Sequence, residues 1–349
     1  MCDAVRAKIL AGQDPAVERK RAKIAAKISS ANTFESVALE YIEEKMIRQG
    51  LAVATLRKAR WFLELLKPAI GNMPINDVDP QMMLAPLKRL EARGNLESAK
   101  KCRSFASRVF RYGAATGRCT SDPTAILAGA LVTPKARHYA AILEPKMLGE
   151  LLRAIDLFEC SPAVKFALQI APHVYVRPGE LRHAEWQEFD FEQAIWTIPA
   201  GKMKACRTHA VPLSRQVVGL LTQLKEINGG KGYVFPALYS ASRPMSENTI
   251  NTSFRRMGFS KDDVTAHGLR STASTLLNES GKWHPDAIER ALAHGDSNAV
   301  RGAYNRGHYW EERVRMAQWW SDHLDQIKAG AKVIPINRAA KLGKVSVRA

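Results

Sequence analysis

Acidic residues are the first shortage in this chain of 349. Asp and Glu number 34 against 52 Lys and Arg, a formal charge of +18. Such a deficit points to a polyanionic partner, with nucleic acid foremost. Solubility explains it less well, because carboxylates serve solubility better than amines. Cysteine is sparse too. Cys2, Cys102, Cys119, Cys160 and Cys206 are scattered without a C-x-x-C pair. That argues against a zinc ribbon or a disulfide framework and for reduced thiols. No apolar run is long enough to cross a bilayer, and the first residues lack a secretion signal. The expectation is a cytoplasmic protein with no membrane partner. There is no G-x-x-x-x-G-K-[ST] loop, no H-E-x-x-H and no clustered Asp/Glu set. A triphosphate cradle, a zincin and a two-metal phosphoryl-transfer site are therefore set aside, and no metal or cofactor is expected.

What is there begins with core-forming material: 46% of residues are hydrophobic, and the length favours two domains over one. The stretch from Thr265 to Tyr304 organises the rest. His267 and Arg270 stand three apart, sharing one face of a helix, and Ser274 extends that face. Leu269, Ala273, Leu276 and Leu277 form the face that would be buried. This spacing predicts an imidazole and a cation pointing away from the core. His294 closes a second apolar-periodic segment, and Tyr304 follows.

Residues 1–30 read as two short basic helices parted at Gly12. From 31 to 130 the pattern predicts a small basic four-helix domain. Its first helix would be capped by Asn32 with Glu35. The second runs from Val53 to Leu66, broken by Pro68 and Gly71. The third and fourth span 77–93 and 96–116. On the last of these Lys101, Ser104, Arg108 and Arg111 share a face, a candidate for phosphate contact with DNA. Residues 131–142 read as an extended basic linker with Lys135 and Arg137.

A second domain spans 143–330. Helices are expected over 145–155 and 162–174. Arg177 follows, pinned before a helix by Pro178. Short strands over 195–198 and 209–213 predict a small antiparallel sheet. Its turn, 201–207, would carry Lys202 and Lys204 at an exposed tip. Helices return over 216–228 and 247–257, and a last one covers 311–327. A basic tail fills 331–349. The fold class is thus mainly α with a small antiparallel β-sheet: an all-α domain followed by an α+β domain.

Two arginines, a lysine, two histidines and a tyrosine suit a metal-free reaction on a phosphodiester. Guanidinium forks clamp nonbridging oxygens. A tyrosine is available as nucleophile once its proton is removed. A lysine can protonate the leaving hydroxyl, and histidines can donate to developing charge. Lys202 and Lys204 both remain open for the acid.

The series Arg177-Pro178-Gly179-Glu180-Leu181, Lys204, His267-Gly268-Leu269-Arg270, Leu292-Ala293-His294 and Tyr304 resembles the tyrosine recombinases. The wording AVRGAYNR, EERVRMAQWWSDHLD and VPLSRQ is similar to prophage integrases of the satellite-phage type. The resemblance runs from Phe34 to the end. It implies a core-binding domain and a catalytic domain closing as a C-shaped clamp on double-stranded DNA. It implies Tyr304 as nucleophile, forming a 3′-phosphotyrosine, and Arg177 and Arg270 on the scissile phosphate. Lys204 becomes the acid, His267 an acid/base and His294 a phosphate donor. Integration or excision of a mobile element, a tetramer on attachment core sites, and accessory bending or directionality factors come with it, as does a place at the bacterial nucleoid. Residues 1–30 would be the remnant of an arm-binding domain, the rest of which is missing. Two further readings share the residues: an inactive DNA-binding remnant, and a type IB topoisomerase. Gly295 departs from the pattern, where a basic residue is expected.

Overall fold

The structure is a computed structural model that describes residues 17, 20, 23, 31–134, 139–203, 206–294 and 309–330. The helices expected over 1–30, the basic tail, and Lys135, Arg137, Lys204, Gly295 and Tyr304 lie outside the described residues. The chain divides between residues 136 and 137 into two compact units, each with its own apolar core.

In the first unit, α1 (Phe34–Glu40) begins at Thr33, whose hydroxyl accepts from the Ser36 N–H at 3.2 Å. The cap is therefore Thr33 and not Asn32. Asn32 lies one residue too early, and its carbonyl accepts from the Ile75 N–H at 2.9 Å. The helix widens into a π-helical segment, Tyr41–Ile47. The second helix, α2 (Val53–Leu66), does not stop at Pro68. It continues in π form through Lys67–Gly71, a wider winding in which the proline lies in the first turn. Asp79 caps α3 (Pro80–Ala92) by accepting from the Met82 N–H at 2.7 Å. Last comes α4 (Leu96–Ala115), closed by Gly117 at φ +73°. Cys102, Phe105 and Val109 are buried on one face of α4, and Phe34 meets Phe110 across the core at 5.3 Å. Lys101, Ser104, Arg108 and Arg111 are exposed on the other.

The second unit opens with α5 (Pro145–Leu157) and α6 (Pro162–Val174), each with proline in its first turn. The short α7 (Pro178–Arg182) follows. Strands β1 (Phe189–Asp190), β2 (Ile195–Ile198) and β3 (His209–Pro212) form one antiparallel sheet in chain order, with Ile198 opposite His209 at the root of the β2–β3 hairpin. Ser214 caps α8 (Arg215–Asn228). A second hairpin, β4 (Pro236–Ala237) with β5 (Ser240–Pro244), has no counterpart in the sequence expectation. Then come α9 (Thr249–Arg256), α10 (Ala266–Glu279), α11 (Pro285–Ala291) and α12 (Trp310–Lys328). Met316, Trp320, Leu324 and Ile327 of α12 are buried, as their spacing predicts.

Candidate active site

Arg177 owes its position to the backbone on either side. Helix α6 ends at Tyr175 in the left-handed region (φ +34°). Arg177 is extended, at φ −67° and ψ 143°, and Pro178 starts α7 immediately. Glu180, buried at 4% exposure, then reaches back. It accepts the Arg177 N–H at 2.8 Å and the guanidinium at 2.7 Å. The second guanidinium arm donates to the Ala293 carbonyl at 3.2 Å.

Arg270 departs from expectation. Its side chain does not point away from the core: the residue is 5% exposed. One arm donates to the Tyr175 carbonyl at 3.1 Å and the other to the Leu292 carbonyl. Backbone oxygens satisfy the charge, which is what lets an arginine be buried without a carboxylate against it. Burial, and after it the charge of Arg177, pulls its pKa down to about 10. The group stays protonated at neutral pH.

The two arginines therefore grip consecutive carbonyls, Leu292 and Ala293, in the turn that leaves α11. Carbonyls at a helix C-terminus have no partner within the helix and carry partial negative charge. Ala293 takes the left-handed conformation (φ +49°) there. His294 comes next, exposed, with Nδ1 2.6 Å from a Glu289 carboxylate oxygen. An ionised carboxylate only accepts, so Nδ1 donates and Nε2 is left for another group.

His267 stands in the first turn of α10, which Thr265 caps by accepting the Gly268 N–H at 2.9 Å. Its ring lies 4.4 Å from that of Tyr139. Burial, then the charges of Arg270, Arg177 and His294, hold its pKa below the ordinary value, so it is neutral at neutral pH. Gly268 is required by a close approach. A Cβ built there falls 1.7 Å from the Ala140 carbonyl oxygen. His267, Arg270 and His294 line one cleft of about 300 Å³, completed by Leu292, Ser271, Ser274 and Thr275.

Lys202 is not at an exposed tip. It ends a 3₁₀ turn, Ala200–Lys202, at the hairpin root. Its ammonium donates to the His183 carbonyl at 2.8 Å, to Glu185 at 2.6 Å and to the buried carboxylate of Glu188. Burial disfavours its charge, but the two carboxylates outweigh burial and raise its pKa. All three N–H groups are spent, so Lys202 is neither available to DNA nor suited to act as a proton donor.

In the first unit, Lys101, Arg108 and Arg111 line a groove of about 530 Å³ with Lys58, Arg103 and Ser104. Lys101 is paired with Glu97 at 2.9 Å. Sequence reasoning missed Tyr139, which fell in the expected linker, and Glu289. Glu180 was legible from its place three residues after Arg177. Among the described residues, no group of three His, Cys, Asp or Glu side chains could hold a metal ion. No described helix is long and apolar enough to cross a membrane.

Comparison with known proteins places these residues in a family. A model described as the phage integrase central domain matches residues 34–130, and one described as the phage integrase family matches 142–310. The integrase of Enterobacteria phage P4 is 38% identical over 339 residues, covering 93% of this chain and 76% of that protein. The prophage integrase IntS of Escherichia coli K12 is 34% identical over 322 residues, covering 92% of this chain and 81% of that one. A lambda integrase dimer bound to a COC′ core site shares the fold, with a TM-score of 0.62 and 22% identity over 88% of this chain and 87% of that chain. Two matched family models in the expected order, and relatives aligned along most of their length, establish that this chain belongs to the phage integrase family, as a tyrosine-type site-specific recombinase of the satellite-phage kind.

Proposed function

We propose that this recombinase cuts and rejoins double-stranded DNA at attachment core sites through six residues. Tyr304 attacks the scissile phosphate. Its oxygen bonds to phosphorus, the bond to the 5′-oxygen breaks, and a 3′-phosphotyrosine is left. Arg177 and Arg270 hold the nonbridging oxygens and offset the charge that builds in the transition state. Lys204 gives its proton to the departing 5′-oxygen. His267, neutral at working pH, serves as acid/base, and His294, with Nδ1 on Glu289, is the phosphate donor through Nε2 in the imidazolium form, where both ring nitrogens carry protons. A 5′-hydroxyl from a partner duplex reverses the step. The bond energy is kept in the phosphotyrosine, so strand joining needs no external energy source.

One observation carries this reading: Arg177 and Arg270 meet on consecutive carbonyls, and Arg270 shares one cleft with His267 and His294. The exposed basic face of α4, with Arg108 and Arg111, supports a DNA-contacting role for the first unit. The domain boundaries read from the sequence, a clamp around the duplex, a tetramer on DNA and action in the cytoplasm at the nucleoid complete the proposal. So do accessory bending or directionality factors.

The test is a nicked suicide duplex carrying the core site. The expected result is a covalent protein–DNA adduct that Tyr304→Phe abolishes. No adduct from the unaltered chain on its core site, or an adduct that survives Tyr304→Phe, overturns the proposal.

A further inference from the structure

The β2–β3 hairpin is anchored by one ammonium. Lys202 sits where the chain leaves β2, and its three donors reach the His183 carbonyl, Glu185 and Glu188. All three acceptors belong to the segment that follows α7, the helix Arg177 begins. Glu188 is itself fixed. Its other carboxylate oxygen accepts the Trp196 indole N–H of β2 at 2.9 Å. Trp196 is buried at 1% exposure. Glu185 pairs with Tyr233 in an isolated antiparallel bridge, and the neighbouring Trp186 N–H donates to the Gly232 carbonyl at 3.0 Å. The segment from 183 to 188 is therefore tied on both sides, and Lys202 ties the hairpin to it.

Such an arrangement is costly unless it is complete. A carboxylate as buried as Glu188 must be matched by a cation and by hydrogen bonds. Both are present, and the ammonium has no donor left over. A surface salt bridge would be weak and replaceable. This one is partly buried, with three acceptors, and it stands two residues before Lys204 in the chain.

We infer that Lys202 is a positioning residue for catalysis: it fixes the hairpin root against the Arg177 segment and so sets where the leaving-group acid is delivered. The inference rests on the reading of Lys204 as that acid. In the step concerned, Tyr304 gives its phenol proton to neutral His267 as its oxygen bonds to phosphorus, the phosphorus–O5′ bond breaks, and a proton moves from the Lys204 ammonium to O5′. A substrate in which sulfur replaces the bridging 5′-oxygen does not need that proton, because a thiolate leaves readily on its own.

The experiment compares the full chain with Lys202→Met, Glu185→Gln and Lys204→Ala. Single-turnover cleavage is measured on 5′-oxygen and bridging 5′-sulfur suicide duplexes. Binding and thermal melting are recorded alongside. Lys202→Met is expected to slow cleavage of the oxygen substrate by about 10- to 100-fold, a share of what a general acid contributes. Cleavage of the sulfur substrate is expected to stay within about threefold of the unaltered chain, a factor worth only ~0.6 kcal/mol. Glu185→Gln keeps the Lys202–Glu188 bond and the fold, and is expected to show the same pattern at smaller amplitude. Equal loss on both substrates in the two variants means a general structural role and overturns the inference. Unchanged cleavage overturns it as well. Failure of the sulfur substrate to rescue Lys204→Ala would instead sink the assignment of the acid.

Discussion

Glu180 binds Arg177 twice, once at its backbone N–H (2.8 Å) and once at its guanidinium (2.7 Å). A single buried carboxylate thus fixes both where the arginine leaves the chain and which way its fork faces. Glu180→Gln retains one acceptor but removes the charge. We expect cleavage to fall by about 10- to 100-fold and stability by about 1–3 kcal/mol, the cost of an imperfectly matched buried charge. Phosphotyrosine yield and urea melts check the two effects separately.

Arg270→Lys tests the fork. A lysine is a point charge and cannot reach the Tyr175 and Leu292 carbonyls together while facing a phosphate. Cleavage should drop by about 100-fold or more, consistent with loss of an oxyanion-stabilising donor. DNA binding, measured by gel shift, should change little, because the first unit still contacts the duplex in the proposed arrangement.

Gly268→Ala probes the crossing with Ala140. Any Cβ there overlaps a backbone oxygen, so either the segment at 140 or the first turn of α10 must shift. The expected loss is about 1–3 kcal/mol of stability, typical of overpacking. His267 would be displaced with the turn, so activity should fall at temperatures where the variant is still folded.

Acid should weaken the second unit. Burial, the largest cause in both, pulls the pKa of His173 and His209 from 6.5 down to about 4. Both are neutral in the fold, and the unfolded chain takes up protons first. Their stability contribution is full above pH about 6.5, is lost as pH falls toward about 4, and is level below that. Urea melts between pH 4 and 8 should show the decline, and His173→Gln should make it shallower. A decline of unchanged slope in that variant would remove His173 as a source.

Arg108→Gln should weaken binding to all duplex sequences alike and lower the salt slope by about 0.9, the effect of one lost phosphate contact. Lys101→Gln should do less, since its ammonium is already paired with Glu97. Fluorescence anisotropy over a salt series on specific and random duplexes decides it.

Much of the framework was legible because it is periodic. The amphipathic stripes of α2, α4, α6 and α12 place those helices within a residue or two of their observed ends. Proline and glycine mark the starts and stops. The π-helical segments were not readable, since winding by one extra residue changes no local composition. The β4–β5 hairpin was missed because its strands are too short and polar to alternate. At the site, the types and order of Arg177, His267, Arg270 and His294 were visible. The burial of Arg270 was not. It depends on the carbonyls of Tyr175 and Leu292, which are remote in sequence from the helix that carries it. Lys202 failed for the same reason: a lysine in a turn looks solvated until Glu185 and Glu188 are found beneath it.

The crossing at Gly268 changes how a mutational map of this chain should be read. In a saturation library, every substitution at position 268 would score poorly, as at the reacting groups beside it. That silence would come from a passing peptide oxygen and not from chemistry. Substrates with altered leaving groups would rescue a true proton donor and leave position 268 as impaired as before. A library scored on both substrates would thus separate the proton donor from the position that only makes room.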